Sequence, residues 1–161
     1  METMNNAIRA GMEASTPPRK QPVVVTAAEI MTRNLVTFRA DENIRTAIDV
    51  LLRRGISGAP VVDEQRRLLG TLSEGDCLRA ISAGSYDGEP VAAEHLVGEL
   101  MNRTPPTITP STDIYSITQT FVASDVRRLP VIDDGVVVGQ VSRRDVLRSI
   151  CRNAPATGKN R

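Results

Sequence analysis

Two serines anchor the chemistry this sequence can support. Ser73 and Ser142 sit in the same short pattern, Gly-x-hydrophobic-Ser-x-x-Asp, over residues 70–76 and again over 139–145. An apolar run ends at each serine and a helical pattern starts after it, which puts the hydroxyl at a strand-to-helix junction. The first free N–H groups of a helix lie at the positive end of its dipole, so such a junction attracts a phosphate. A serine hydroxyl there can donate to a phosphate oxygen. The aspartate three residues on lies one turn away on the same side, where its carboxylate can accept from ribose hydroxyls. The same Ser-x-x-Asp spacing is also a helix-capping arrangement, with the carboxylate favourable at the dipole. Recurrence does not separate the two readings, because a duplicated cap recurs as well.

Other chemistries have little to work with. The 161 residues hold one histidine, His95, and two cysteines, Cys77 and Cys151. No Ser/His/Asp or Cys/His constellation appears, so no activated nucleophile or general base is visible and the chain is read as a non-enzyme. Metal sites need several His or Cys ligands at short spacing, and none is read here. Twenty Lys+Arg balance nineteen Asp+Glu to a net charge of +1, which supplies no field for duplex nucleic acid or an anionic membrane. Aromatic residues are 2% of the chain, too few for a stacking platform on single strands. No apolar run approaches the ~18–20 residues of a membrane span. Two cysteines far apart suit a reducing compartment. The expectation is a soluble cytoplasmic protein with no membrane and no nucleic-acid partner.

The elements that must position these residues come in two copies. Glu29, Met31, Arg33, Thr37, Ile44 and Pro60 recur 70 residues on as Glu99, Met101, Arg103, Thr107, Ile114 and Pro130. After the prolines the offset falls to 69, so that Gly70, Ser73 and Asp76 match Gly139, Ser142 and Asp145. The lost residue falls in a turn, between Asp63 and Leu68. Each copy opens on a helical turn (residues 27–31 and 97–101) and continues into a short strand (35–38 and 106–109). Ile44, Ala47, Ile48, Leu51 and Leu52 then mark one apolar helix face, as do Ile114, Ile117, Phe121 and Val122. Two strands follow, with Asp133-Asp134-Gly135 as a hairpin signal in the second copy. A last helix spans 74–82 and 143–151. The fold class is α/β (α+β), with tandem β-α-β-β-α motifs. Motif 1 covers residues 23–83 and motif 2 covers 95–151, with a Gly/Ser/Pro linker at 84–94. The ends, 1–22 and 152–161, are expected to be disordered. One unit of this size is marginal alone, so two copies packed sheet to sheet are expected to share a core.

The pattern Gly-Ile-Ser-Gly-Ala-Pro-Val-Val-Asp (55–63) with Leu-Gly-Thr-Leu-Ser-Glu-Gly-Asp (69–76) resembles the cystathionine-β-synthase-type (CBS) domain. Its partner is Asp-Val-Arg-Arg-Leu-Pro-Val-Ile-Asp (125–133) with Val-Gly-Gln-Val-Ser-Arg-Arg-Asp (138–145). The resemblance runs from about Val25 to Ile150 and implies a stand-alone CBS pair, or Bateman module, packed through its sheets with pseudo-two-fold symmetry. It further implies a homodimer, an adenine nucleotide (AMP, ADP or ATP) as ligand with no obligatory cofactor, and a regulated protein target. The alternative is a dimerisation or interaction module with no bound nucleotide. By resemblance Ser142 contacts phosphate and Asp145 ribose, Ser73 and Asp76 are their equivalents, and Thr37 and Thr107 line the purine end. Ser57, Pro60, Arg128, Pro130 and Arg143 complete the candidate binding set. Arg127, Arg128, Arg143 and Arg144 surround the second motif where the first has Ser57, Gly58, Glu74 and Gly75. A carboxylate after the serine repels phosphate, so the second-copy cleft is expected to be the better anion site.

Overall fold

Local signals explain why each element starts and stops where it does. The structure, a computed structural model, describes residues 24–84 and 95–153. Helix α1 (Ala27–Ile30) is a single turn, and the Glu29 carboxylate accepts from the Thr26 N–H at 2.7 Å and the Thr26 hydroxyl at 3.0 Å. Helix α2 (Ile44–Arg54) begins at Asn43, whose side chain accepts from the Arg45 N–H at 2.9 Å. It ends at Gly55 with φ 61°, a left-handed cap that glycine adopts without a Cβ penalty. Strands β1 (Gly58–Val62) and β2 (Leu68–Ser73) form an antiparallel hairpin, and helix α3 (Glu74–Gly84) leaves directly from Ser73.

The second copy repeats this as α4 (Val97–Leu100), α5 (Ile114–Ala123), β3 (Arg128–Asp133), β4 (Val136–Ser142) and α6 (Arg143–Asn153). Asp113 caps α5 by accepting from the Tyr115 and Ser116 N–H groups, each at 2.9 Å. Those bonds, led by the Ser116 hydroxyl, hold its carboxyl below the usual carboxylate range. Asp134 and Gly135 take positive φ in the β3–β4 turn, as the hairpin signal predicts. Gly58 faces Ser73 in the β1–β2 register and Arg128 faces Ser142 in the β3–β4 register, so the two motifs place their serines alike.

Three details differ from the sequence reading. The strands expected at 35–38 and 106–109 shrink to single parallel bridges, Phe38 to Val61 and Ile108 to Val131. The last helices run to Gly84 and Asn153, two residues further than expected. Of the segments expected to be disordered or linking, residues 1–22, 85–94 and 154–161 lie outside the described residues.

The third difference reorganises the molecule. The motifs do not share one core; each completes the core of the other. Ala27, with no exposed surface, packs with Ile108, Ile117, Leu129 and Val141 of the second copy. Val97 and Met101 are buried with Phe38, Ile44, Leu51 and Leu72 of the first. Beyond α1, Thr32 pairs antiparallel with Gln140, the two backbones exchanging bonds of 2.9 and 3.0 Å. Beyond α4, Asn102 pairs with Thr71 through two bonds of 2.9 Å. Glycine makes both approaches feasible. A Cβ on Gly70 would stand 2.5 Å from the Asn102 carbonyl oxygen, and one on Gly139 would stand 2.5 Å from the Met31 sulfur.

These two glycines therefore predict unequal costs. Gly70→Ala meets backbone and should destabilise the fold by about 2 kcal/mol, whereas the thioether facing Gly139→Ala can rotate away for about half of that. Urea unfolding midpoints of the two variants check the order.

Candidate functional site

The exchange of opening segments leaves a cleft along the seam between the motifs. Its volume is about 460 Å³. The first motif contributes Ser57 and Gly58 from the start of β1, Thr71 and Ser73 from β2, and Glu74, Asp76 and Arg79 from α3. The second contributes Asn102, which reaches the cleft by pairing with Thr71, together with Asp125, Arg127, Arg128 and Gln140.

Both Ser-x-x-Asp pairs close as capping boxes. The Ser73 hydroxyl and N–H donate to one Asp76 carboxylate oxygen at 2.6 and 2.8 Å, and the Asp76 N–H donates back to Ser73 Oγ at 3.2 Å. Ser142 and Asp145 repeat the three contacts at 2.6, 2.8 and 3.3 Å. The first helical N–H is also engaged: Glu74 donates to the Ser57 carbonyl at 3.0 Å and Arg143 to the Arg127 carbonyl at 3.2 Å. The other Asp76 oxygen accepts from Arg79. Its counterpart on Asp145 lies 3.7 Å from Arg148, 69 positions after Arg79. A cap of this kind is worth about 1 kcal/mol, small enough for a well-placed anion to compete for the hydroxyl.

Arginines cross the seam at the β3 end. Arg128 Nε donates to Ser57 Oγ at 3.3 Å, and Arg127 lies 3.8 Å from the Glu74 carboxylate. Burial lowers the pKa of Arg128, although Asp145 and Glu74 act in the opposite sense; the guanidinium stays charged throughout the physiological range.

Of the candidate residues, the cleft brings together Ser57, Ser73, Asp76 and Arg128. Ser142 and Asp145 line neither it nor the second cavity. Arg143 turns instead toward the Ser124 carbonyl, at 3.4 Å, in a groove of about 680 Å³ between α5 and α6 walled by Phe121, Val122, Val146 and Leu147. The arginines expected around the second-copy serine do not line one cavity: Arg128 bonds Ser57 and Arg143 bonds the Ser124 carbonyl. Arg127 and Arg128 precede and open β3, which carries them across the seam to the first motif's serine, while Arg143 starts a helix that faces the other way. Pro60 and Pro130 sit in the core and line neither cavity. Both are fully buried, and their carbonyls accept the Phe38 and Ile108 N–H groups at 2.9 and 3.1 Å. Thr37 is half-buried, Thr107 is exposed, and neither lines the cleft. Thr71, Asn102 and Gln140 were missed. Thr71 and Gln140 are repeat partners two positions before each serine, a signal that was legible; Asn102 arrives only through the exchange.

With the geometry in place, relatives can be compared. A family model described as CBS domain matches residues 27–83 and 97–152. The chain belongs to the CBS-domain family. It is 28% identical to the chloroplastic CBS domain-containing protein CBSX1 of Arabidopsis thaliana, over 86% of this chain and 68% of that one. It is 27% identical to MJ1225 of Methanocaldococcus jannaschii over 74% of this chain, and spans only 41% of the length of that relative. The solved structure of CBSX2, also from Arabidopsis thaliana, in complex with AMP superposes with a TM-score of 0.72 at 26% identity, covering 81% of this chain and 99% of that one. The fold is that of tandem CBS motifs. No helix among the described residues is long and apolar enough to cross a membrane, and no described group of three or more His, Cys, Asp and Glu could hold a metal ion. His95 faces Glu99 at 3.2 Å and lines neither cavity.

Cys77 follows Asp76 at the cleft wall and offers a probe of it. Burial, then the neighbouring Asp76 carboxylate, pushes the thiol above its ordinary value. Cys151 is exposed. Iodoacetamide at pH 8 should therefore label Cys151 at least about tenfold faster than Cys77, whose rate should still be climbing at pH 9 and above. Peptide mapping of alkylated protein over time checks both.

Proposed function

We propose that this CBS pair is a non-catalytic regulatory module that binds an adenine nucleotide in the cleft between its motifs and signals occupancy to a protein partner. The observation that carries this reading is the composition of the cleft: Ser57, Thr71, Ser73 and Asp76 from one motif face Arg127 and Arg128 from the other, in a space within the 300–1,000 Å³ typical of small-ligand sites. Ser73 turns its hydroxyl from Asp76 to a phosphate oxygen, Asp76 accepts from ribose hydroxyls, and Arg128 adds the charge-assisted bond. Thr71, Asn102 and Gln140 supply polar groups beyond the serine. With so few aromatic residues, the purine lies between aliphatic groups and is read by backbone. The AMP bound by CBSX2 supports the ligand class.

Because both motifs wall the cleft, a ligand spanning it favours one relative placement of the two. A partner that distinguishes those placements reads occupancy. At about −0.3 kcal/mol per heavy atom, a mononucleotide binds at roughly 10 μM, suited to sensing a cellular pool. The outer helix faces give a route to association. Leu52, Leu78 and Ile81 are exposed on the first motif, and their repeat equivalents Val122, Leu147 and Ile150 on the second. A homodimer covering both patches accounts for this apolar surface. Free Cys77 and Cys151 suit the cytoplasm.

The alternative reading is an interaction module with no nucleotide, and the fully satisfied Ser-Asp caps favour it. A thermal-shift series with AMP, ADP and ATP separates the two. Ligand at about 100 times its Kd adds roughly 2.7 kcal/mol, a rise on the order of 5–10 °C for a chain of this size. Arg128→Ala should abolish most of that rise. No shift with any of the three leaves the interaction module.

A further inference from the structure

We propose that Glu74 is a charge filter on the cleft, restricting it to adenosine derivatives that carry a single phosphate and disfavouring di- and triphosphates. This deepens the proposed function and rests on it. The cleft wall carries three cations, Arg79, Arg127 and Arg128, and three carboxylates, Glu74, Asp76 and Asp125, so its formal charges cancel. The cations are not equally available. Arg79 is paired with Asp76 and Arg127 lies beside Glu74. Among the described residues Arg128 makes no ion pair; its recorded bond is to the neutral Ser57 hydroxyl. Arg128, on which the Asp145 and Glu74 carboxylates act without forming an ion pair, is the guanidinium most available to one phosphate. Each further phosphate brings negative charge into a wall that already holds Glu74 and Asp125, with no cation left to meet it. Glu74 and Asp125 stand exposed at the cleft wall, so the repulsion acts at short range and is weakened by salt.

The repeat shows that the fold does not require a carboxylate at this position. Arg143 occupies the equivalent place in the second motif, 69 residues on. In both motifs the structural task, a backbone bond from the first helical N–H to the preceding loop, is met by main chain alone. The Glu74 side chain, whose one ion-pair partner among the described residues is Arg127 at 3.8 Å, is therefore not needed for the cap and can act on ligand charge. An acidic residue in a first helical turn also favours the helix dipole, but that role affects stability and leaves ligand preference unmoved.

Titration calorimetry of the full chain with adenosine, AMP, ADP and ATP, without magnesium, tests the filter. Affinity should peak at AMP and fall about tenfold by ATP. Glu74→Gln should raise ATP affinity about tenfold while changing AMP affinity less than about threefold, and Glu74→Arg should carry the preference further toward ATP. A measurement on the unaltered chain guards against misfolded variants: raising salt from about 50 mM to about 500 mM should narrow the AMP–ATP gap. Binding of ATP at least as tight as AMP, or an AMP-to-ATP ratio unmoved by Glu74→Gln and by salt, overturns the filter and leaves the nucleotide site standing. No binding of any of the four compounds overturns both.

Discussion

Backbone hydrogen bonds between the motifs, four of them at two short antiparallel bridges, hold the rest of the structure in place. Thr32 exchanges two with Gln140, and Asn102 exchanges two with Thr71. They draw α1 into the second core and α4 into the first, so neither motif has a complete interior without residues from the other. A unit of this size would bury only about 60% of its surface alone, and the exchange lets each hairpin and helix pair close over borrowed side chains. Gly70 and Gly139 are the steric condition for it. The cleft follows from the same contacts, since Gln140 and Asn102 appear both in the bridging pairs and in its wall.

That origin explains why the site is composite. The hydroxyl and carboxylate of the first motif lie at the start of α3, where capping already needs them. The arginines come from the start of β3, where Arg128 sits opposite Ser142 in the hairpin register yet reaches across to Ser57. Binding and capping use the same Ser73 hydroxyl, which makes the cleft competitive rather than open: an anion must offer more than the Asp76 carboxylate it displaces. A charge-assisted bond from a guanidinium to a phosphate is the kind of gain that meets this condition. An uncharged ligand does not supply it.

Much of this was legible in the sequence, and the remainder was hidden for identifiable reasons. The offsets of 70 and 69 gave the duplication, the helix faces and the hairpin turns, because those depend on local periodicity and turn residues. The strands before α2 and α5 were over-read: a few apolar residues suffice for a strand pattern, whereas the backbone pairs only at Phe38 and Ile108. The exchange was invisible, since a repeat reads the same whether its opening turn joins its own sheet or the neighbouring one. Of the arginines clustered in sequence around Ser142, Arg127 and Arg128 line the seam and Arg143 lines the α5–α6 groove. Pro60 and Pro130 lie buried in β1 and β3, and their repetition reflects the packed core.

The central claim is that one ligand touches both motifs at once across the seam. Amide chemical-shift mapping during titration with AMP measures this directly. The account predicts that Ser57, Ser73 and Gly75 shift together with Arg127, Arg128 and Asn102, all along one saturation curve. Shifts confined to a single motif, or centred on Phe121, Val122 and Leu147 in the α5–α6 groove, would contradict it.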